Sequence, residues 1–418
     1  MLAFGSVGDV LPYAALATGL ASRGYRVRFV THARFAGQLQ AQGLDVGIVD
    51  TDPQNTLTTP SGRKLLESGA SPLAFGIGLV RILKPILEQI TLNVQEECRN
   101  TDAIICSGLA LFIAPHVAEK LKRPCIPAFL QPVTPTSAFP NAFVSGGRWS
   151  GTENRISHFV YWRGSWALFR PLVNRIRKRI LGLPGLSLLE PYSGLHRQGA
   201  PILYGYSPHV LPKPSDWRDW THVAGYWFTP SLSNWHPPKA LVEFLMAGPA
   251  PLCVGFGSMS SHETDRTYSC LLSALKRTGH RAIFLTGWGK PRLAELPDHV
   301  LPLEFAPHEW LLPKTAAVIH HGGAGTTAAA LRAGIPSVIV PFLGDQFFWG
   351  RLLQRLGVGG TPIPHLNLDD DNLSAAIAQV TADESFRTRA NSLGARISGE
   401  GGIEQGVEAV RTSLERMA

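Results

Sequence analysis

Short apolar runs of three to five residues alternate along the chain with stretches whose apolar positions recur every three or four residues. The runs at 26–30, 45–49, 103–106 and 125–129, and again at 251–255, 281–285, 300–303, 317–319 and 337–340, predict strands buried on both faces. Residues 12–22 and 33–42 predict helices, the first closed by Arg23-Gly24. Strand and helix in alternation predict a parallel, doubly wound α/β sheet. The pattern occurs twice, so two units of one architecture are expected. An amino-terminal domain covers 1–230, a linker rich in Pro, Ser and Asn covers 231–249, a second domain covers 250–400, and a helix closes the chain over 401–418. The apolar stub at 2–4 is so short that the first strand looks clipped. Ligands of such sheets lie beyond the carboxyl ends of the strands, and two such edges can face one another across a cleft.

Composition narrows the classes. Of 418 residues, 44% are hydrophobic and 17% charged, which allows large cores and excludes a disordered chain. No run of 18 apolar residues appears, and no signal peptide is visible. The cysteines Cys98, Cys106, Cys125, Cys253 and Cys270 are scattered without a C-x-x-C pair, which argues against a zinc site or a disulfide framework and points to the cytoplasm. A formal net charge of +8 attracts anions. No nucleic-acid recognition motif stands out, so a nucleotide-bearing donor or an anionic membrane face accounts for the charge.

The chemistry concentrates at His320-His321-Gly322-Gly323-Ala324-Gly325-Thr326-Thr327 and at Pro341-Phe342-Leu343-Gly344-Asp345-Gln346. The first stretch reads as a strand end, a glycine turn and a helix start. A helix amino terminus offers unpaired N–H groups and partial positive charge, and glycines let a phosphate approach that backbone closely. A carboxylate beside a carboxamide suits the hydroxyl pairs of a sugar. Gly255-Phe256-Gly257-Ser258 ends an earlier strand and offers Ser258 to the same phosphate. Phe305, Trp310 or neither can stack on a nucleobase, because an aromatic at a strand end serves a ligand or the core equally well. Asp9, in the turn Gly5-Ser6-Val7-Gly8-Asp9, is either a carboxylate that takes a proton from an attacking hydroxyl or a helix N-cap.

Residues 155–189 contain no acidic residue and seven arginines or lysines between Arg155 and Arg179. Phe159, Trp162, Trp166, Phe169, Val173, Ile176 and Ile180 recur at helical spacing, interrupted by Pro171. That stripe suits a membrane interface, an apolar acceptor pocket or packing on its own domain. Trp162, Trp166 and Phe139 are the acceptor-side candidates, and 155–180 is the candidate for peripheral membrane contact.

These motifs resemble the UDP-dependent glycosyltransferases, and within them the sterol 3-β-glucosyltransferase-like group. The resemblance covers nearly the whole chain. Gly5 to Pro12 is similar to an opening G-T-R-G-D-V-Q-P turn, Ala224 to Phe228 to G-[FY]-W-F, Gly255 to Ser258 to G-F-G-S, Pro307 to Leu311 to P-H-D-W-L, His320 to Thr327 to H-H-G-G-A-G-T-T, and Pro341 to Trp349 to P-F-F-G-D-Q-F-F-W. Ser6-Val7 and Leu11 depart from the opening pattern. The resemblance implies the GT-B fold, with two Rossmann-like domains and the terminal helix returning to the first. It implies inverting transfer of a hexose from a nucleotide sugar to an apolar alcohol, with no cofactor and no essential metal. His321 is placed on the donor pyrophosphate with Ser258, Gly323, Ala324, Gly325 and Thr326 around it. Phe305 is placed near the base, and Asp345 and Gln346 on the sugar. Gly8 and His308 are further donor-side candidates, and Asp9 takes the place of the general base.

Overall fold

The computed structural model describes residues 1–51, 59–60, 62, 65, 71–144, 149–189, 200–229, 235–257, 264–286 and 296–417. Two compact units divide the chain. The first holds Met1–Leu65, Pro72–Thr229 and Glu400–Ala418, and the second holds Leu66–Ser71 and Pro230–Gly399.

The first unit runs α1 (Val7–Ser22), β1 (Arg28–His32), α2 (Ala33–Ala41), β2 (Asp45–Val49), α3 (Pro72–Leu83), α4 (Leu87–Glu97), β3 (Ile104–Cys106), α5 (Ala114–Leu121), β4 (Cys125–Phe129), α6 (Gly151–Ile176), β5 (Ile202–Tyr204) and β6 (Thr221–Val223). Its strands pair in parallel as β1-β2 and as β3-β4-β5-β6. The apolar stub at the start joins them. Leu2 bridges Val30 on one side and Cys106 on the other, and Leu2 and Ala3 are fully buried. The stub is short yet central, so its carboxyl end leads straight to the turn that carries Asp9.

Helix α1 starts at Val7, well before the expected Pro12. Ser6 caps it, and Asp9, in its first turn, reaches back to Ser6. This local exchange of hydrogen bonds nucleates the turn although Pro12, inside the helix, lacks a donor for the Gly8 carbonyl.

The stripe of α6 packs inward. Trp166, Phe169, Val173 and Ile176 are buried, whereas Phe159 faces outward with Ile156 and Val160. The basic stretch is also less charged than its sequence. Arg155 pairs with Asp216, Arg175 and Arg179 with Glu88, and the buried Arg177 with Glu119.

The second unit runs α7 (Lys239–Met246), β7 (Leu252–Gly255), α8 (Thr264–Thr278), β8 (Ala282–Leu285), β9 (Val300–Leu303), α9 (His308–Leu311), β10 (Val318–His320), α10 (Ala324–Arg332), β11 (Ser337–Ile339), α11 (Gln346–Leu356), α12 (Asp370–Ala382) and α13 (Glu384–Ser398). Its parallel sheet has the order β11-β10-β7-β8-β9. Leu252 and Val254 enter one core and Cys253 the other, so the sheet is covered on both faces and its strands read as unbroken apolar runs. The stretch read as a linker contains α7, whose Leu241 is buried in the second core.

Helix α14 (Gly402–Met417) belongs to the first unit. It packs on α1, where a Cβ at Gly19 would overlap Ile403, and the Tyr226 amide donates to Glu400 Oε1 at 2.8 Å. No helix among the described residues is long and apolar enough to cross a membrane.

Candidate active site

In the second unit the site grows from β10. His320 ends this strand between Gly255 of β7 and Ile339 of β11. The chain then turns through Gly322 at φ +86°, where a Cβ would come 2.9 Å from Ile339 Cγ2 and 3.0 Å from the Gln346 carbonyl oxygen. Only glycine meets both demands. His320 Nδ1 accepts from the Gly322 amide at 3.1 Å and holds the turn from within. Gly323 caps α10, so the amides of Ala324, Gly325 and Thr326 head the helix without intrahelical acceptors. The His321 ring lies between two glycines. A Cβ at Gly257 would stand 3.3 Å from its Cε1, and one at Gly323 would overlap its Nε2. Ring and amides therefore share one place, a ready cradle for an anion. Of the two hydroxyl residues, Thr326 is partly exposed and Thr327 is buried.

Burial holds the His321 pKa at about 4, the Gly255 carbonyl opposing and the neighbouring His308 adding to the depression. Burial also lowers His308 and, with His321 and His308 beside it, lowers His320 further. A pKa of about 4 leaves the His321 ring uncharged at neutral pH, with one N–H to offer rather than a fixed positive charge.

The turn after β11 is braced from inside. Gln346 Oε1 accepts from the amides of Phe342 at 2.8 Å and Leu343 at 3.2 Å, and Asp345 Oδ2 accepts from Trp349 Nε1 at 3.0 Å. The pair read as a sugar clamp thus also shapes its own loop. Phe305, beyond β9, is 56% exposed, whereas Trp310 packs on Trp235 with centroids 5.1 Å apart. The structure separates the two aromatics: Trp310 packs against the core of this unit, and Phe305 is exposed. His308 opens α9 and is half-buried. Ser258 lies outside the described residues.

In the first unit, Gly5 at φ +123° donates its amide to His32 Nε2 at 3.0 Å, while His32 Nδ1 faces the Thr51 carbonyl at 3.0 Å. His32 is thus the Nδ1–H tautomer and anchors the turn, a role the sequence reading missed because His32 lies a full strand away. Ser6 donates its amide at 2.9 Å and its hydroxyl at 2.7 Å to Asp9 Oδ2. Ser6, not Asp9, is the N-cap. Burial raises the Asp9 pKa against these two bonds. Gly8 stands in the first turn of the same helix.

Two acceptor-side assignments are corrected. Trp166 and Phe139 are 1% and 3% exposed, the first with its indole donating to the Ser187 carbonyl and the second edge-on to Trp217. Both are core residues, because helical spacing places inward-facing and ligand-facing rings alike. Trp162 remains half-buried. Among the described residues no cluster of three His, Cys, Asp or Glu could hold a metal.

Residues 1–140 match the family model for the glycosyltransferase family 28 N-terminal domain, and 270–400 match the erythromycin biosynthesis protein CIII-like C-terminal domain. A sterol 3-beta-glucosyltransferase of Neosartorya fischeri is 35% identical over 99% of this chain and 29% of its own length. One of Arabidopsis thaliana is 36% identical over 98% of this chain and 64% of its own. The chain therefore spans about a third to two thirds of the length of these curated relatives. Among solved structures, a kitacinnamycin glycosyltransferase superposes with a TM-score of 0.70 at 17% identity, covering 99% of this chain and 98% of its own. A calicheamicin glycosyltransferase superposes at 0.68 with 19% identity, covering 100% of this chain and 98% of its own. The fold is GT-B, the fold of these glycosyltransferases. Over nearly its whole length its sequence is similar to the sterol 3-beta-glucosyltransferases.

Proposed function

We propose that the chain transfers glucose from UDP-glucose to the hydroxyl of an apolar alcohol, a sterol or triterpenoid, with inversion to a β-glycoside. The observation that carries this reading is the His321 ring fixed between two glycines beside the amides that head α10. Asp9 takes the proton of the attacking hydroxyl as its oxygen bonds to the anomeric carbon. The bond from that carbon to the UDP β-phosphate oxygen breaks, and charge develops on the phosphate. The His321 N–H and the amides of Ala324, Gly325 and Thr326 meet that charge. Each such preorganised donor contributes on the order of 3 kcal/mol, the kind of charge stabilisation a metal gives in other enzymes. Phe305 stacks on the uracil, and Asp345 and Gln346 bind the glucose hydroxyls. The relatives' names support the acceptor class.

The test is UDP release from UDP-glucose with and without a panel of sterols, triterpenoids and flavonoids, followed by mass spectrometry. A product heavier by one hexose with a sterol or triterpenoid is expected. Release with dTDP-sugars and a polyketide alone would move the chain to natural-product glycosylation, the activity named for its structural neighbours.

An apolar acceptor also has to be met where it dissolves. Ile156, Phe159 and Val160 are 54%, 65% and 59% exposed on one face of α6, with the Arg163 guanidinium over Phe159 at 6.0 Å. We propose that this face rests on anionic bilayers. Sedimentation with phosphatidylserine vesicles should fall sharply in F159D. Neutralising Arg175 and Arg179 should change it less, because the two share Glu88. Undiminished sedimentation of F159D would remove the proposal.

A further inference from the structure

Four half-buried aromatic rings from three separate segments of the first unit stand in a row. Phe75 of α3 stacks on Phe143 with centroids 6.2 Å apart and planes at 25°. Phe143 stacks on Tyr161 of α6 at 5.2 Å and 7°. Tyr161 meets Trp162 edge-on at 5.7 Å and 72°.

The row is held in place by buried polar groups. Phe143 ends a segment tied to α6 through Asn141, which is fully buried, as is His158. The Asn141 amide donates to Ser157 Oγ at 2.9 Å, and the Phe143 amide donates to Asn141 Oδ1 at 3.0 Å. Asn141 Nδ2 lies 3.2 Å from His158 Nδ1, and His158 Nε2 lies 3.2 Å from the Phe139 carbonyl. Both contacts are satisfied when His158 is neutral with its proton on Nε2. It then donates to Phe139 and accepts from Asn141. At the other end, Trp162 Nε1 donates to the Val133 carbonyl at 3.0 Å. Val133 follows β4, whose Ala128 carbonyl accepts from Tyr13 Oη at 2.8 Å. Tyr13 lies one helical turn beyond Asp9 on α1. The Trp162 end of the row is therefore moored at the sheet edge from which Asp9 rises.

The same unit has ample core aromatics. Trp166, Tyr204, Tyr206 and Trp217 are almost wholly buried. A fixed apolar row left partly open is instead the lining expected of a site for an apolar ligand. A row of apolar rings suits the apolar faces of a fused-ring body.

We propose that Phe75, Phe143, Tyr161 and Trp162 form the rail along which the fused-ring body of the acceptor lies, its hydroxyl at the Trp162 end toward Asp9. The proposal rests on the glycosyl-transfer reading above, and its test has a readout independent of turnover. Dehydroergosterol binding is measured by energy transfer from tryptophan in the wild type and in F143A, Y161A and the volume-sparing F143L and Y161L. Acceptor KM and UDP affinity are measured alongside. The alanine variants should weaken sterol binding and raise acceptor KM about 10-fold or more, with UDP affinity unchanged. The leucine variants, which keep the space filled, should show a smaller change of the same sign. Weakened sterol binding supports the rail even if no sugar is transferred, in which case the function is what fails. Unchanged sterol binding in folded variants, or no binding by the wild type, overturns the rail even if transfer is normal.

Discussion

Asp9→Asn is expected to lower turnover by about 10²- to 10⁴-fold while leaving UDP affinity near that of the wild type. Asparagine can keep what Asp9 does for the fold. Its carbonyl oxygen accepts from Ser6, whose amide and hydroxyl both lie on Oδ2 of the native carboxylate. It cannot take a proton, and the proposed step needs that proton removed. Burial raises the Asp9 pKa, which makes the carboxylate a better base than an exposed aspartate. Because the base must be ionised, kcat/KM should fall on the acid side, through a pKa above the ordinary carboxylate range. Asp9→Asn should abolish that limb. Near-normal turnover with the acid limb retained would return Asp9 to a purely structural role in the first turn of α1.

What the sequence disclosed follows from the range of each signal. The strands of the second sheet and most of those of the first unit were legible as apolar runs, and the glycine turns because φ +86° at Gly322 restricts the residue type. The cradle at His321 is local, so its parts are adjacent in sequence. Contacts across the chain were hidden. Arg175 meets Glu88, Arg177 meets Glu119 and Arg155 meets Asp216, so a run of like charges in sequence became a set of ion pairs in space. The stripe of α6 showed which residues are apolar but not which way each faces. Trp166 went inward, Phe159 outward, and Tyr161 and Trp162 to the boundary between. Phe75 and Phe143 gave no signal at all, because their meaning lies in rings brought together from three segments. Strands β5 and β6, three residues each, were not read from the sequence.

His321→Ala should reduce turnover by about 10²- to 10³-fold and weaken UDP binding, the loss expected when one preorganised donor to developing charge is removed. A sharper test leaves the imidazole in place. Gly323 has ordinary extended φ and ψ of −62° and 144°, so alanine there costs no backbone strain. Its Cβ would overlap His321 Nε2, and the ring would have to move. Gly323→Ala should therefore reproduce most of the His321→Ala defect without deleting a functional group. The pH dependence of stability gives an independent check. His321 has a folded-state pKa of about 4, below its unfolded value of roughly 6.5. Between those values the unfolded chain binds more protons, so stability present above pH 6.5 is lost as pH falls toward 4. The contribution of His321 is at most on the order of 3 kcal/mol. His116, buried beside Arg177 and also held near 4, adds a background of the same sign. Melting temperature followed from pH 7 to pH 4 should therefore fall in both proteins, but less steeply in His321→Ala. Equal slopes, or a Gly323→Ala enzyme as active as the wild type, would mean that the ring is not buried in the cradle as described and that the amides at the head of α10 act without it.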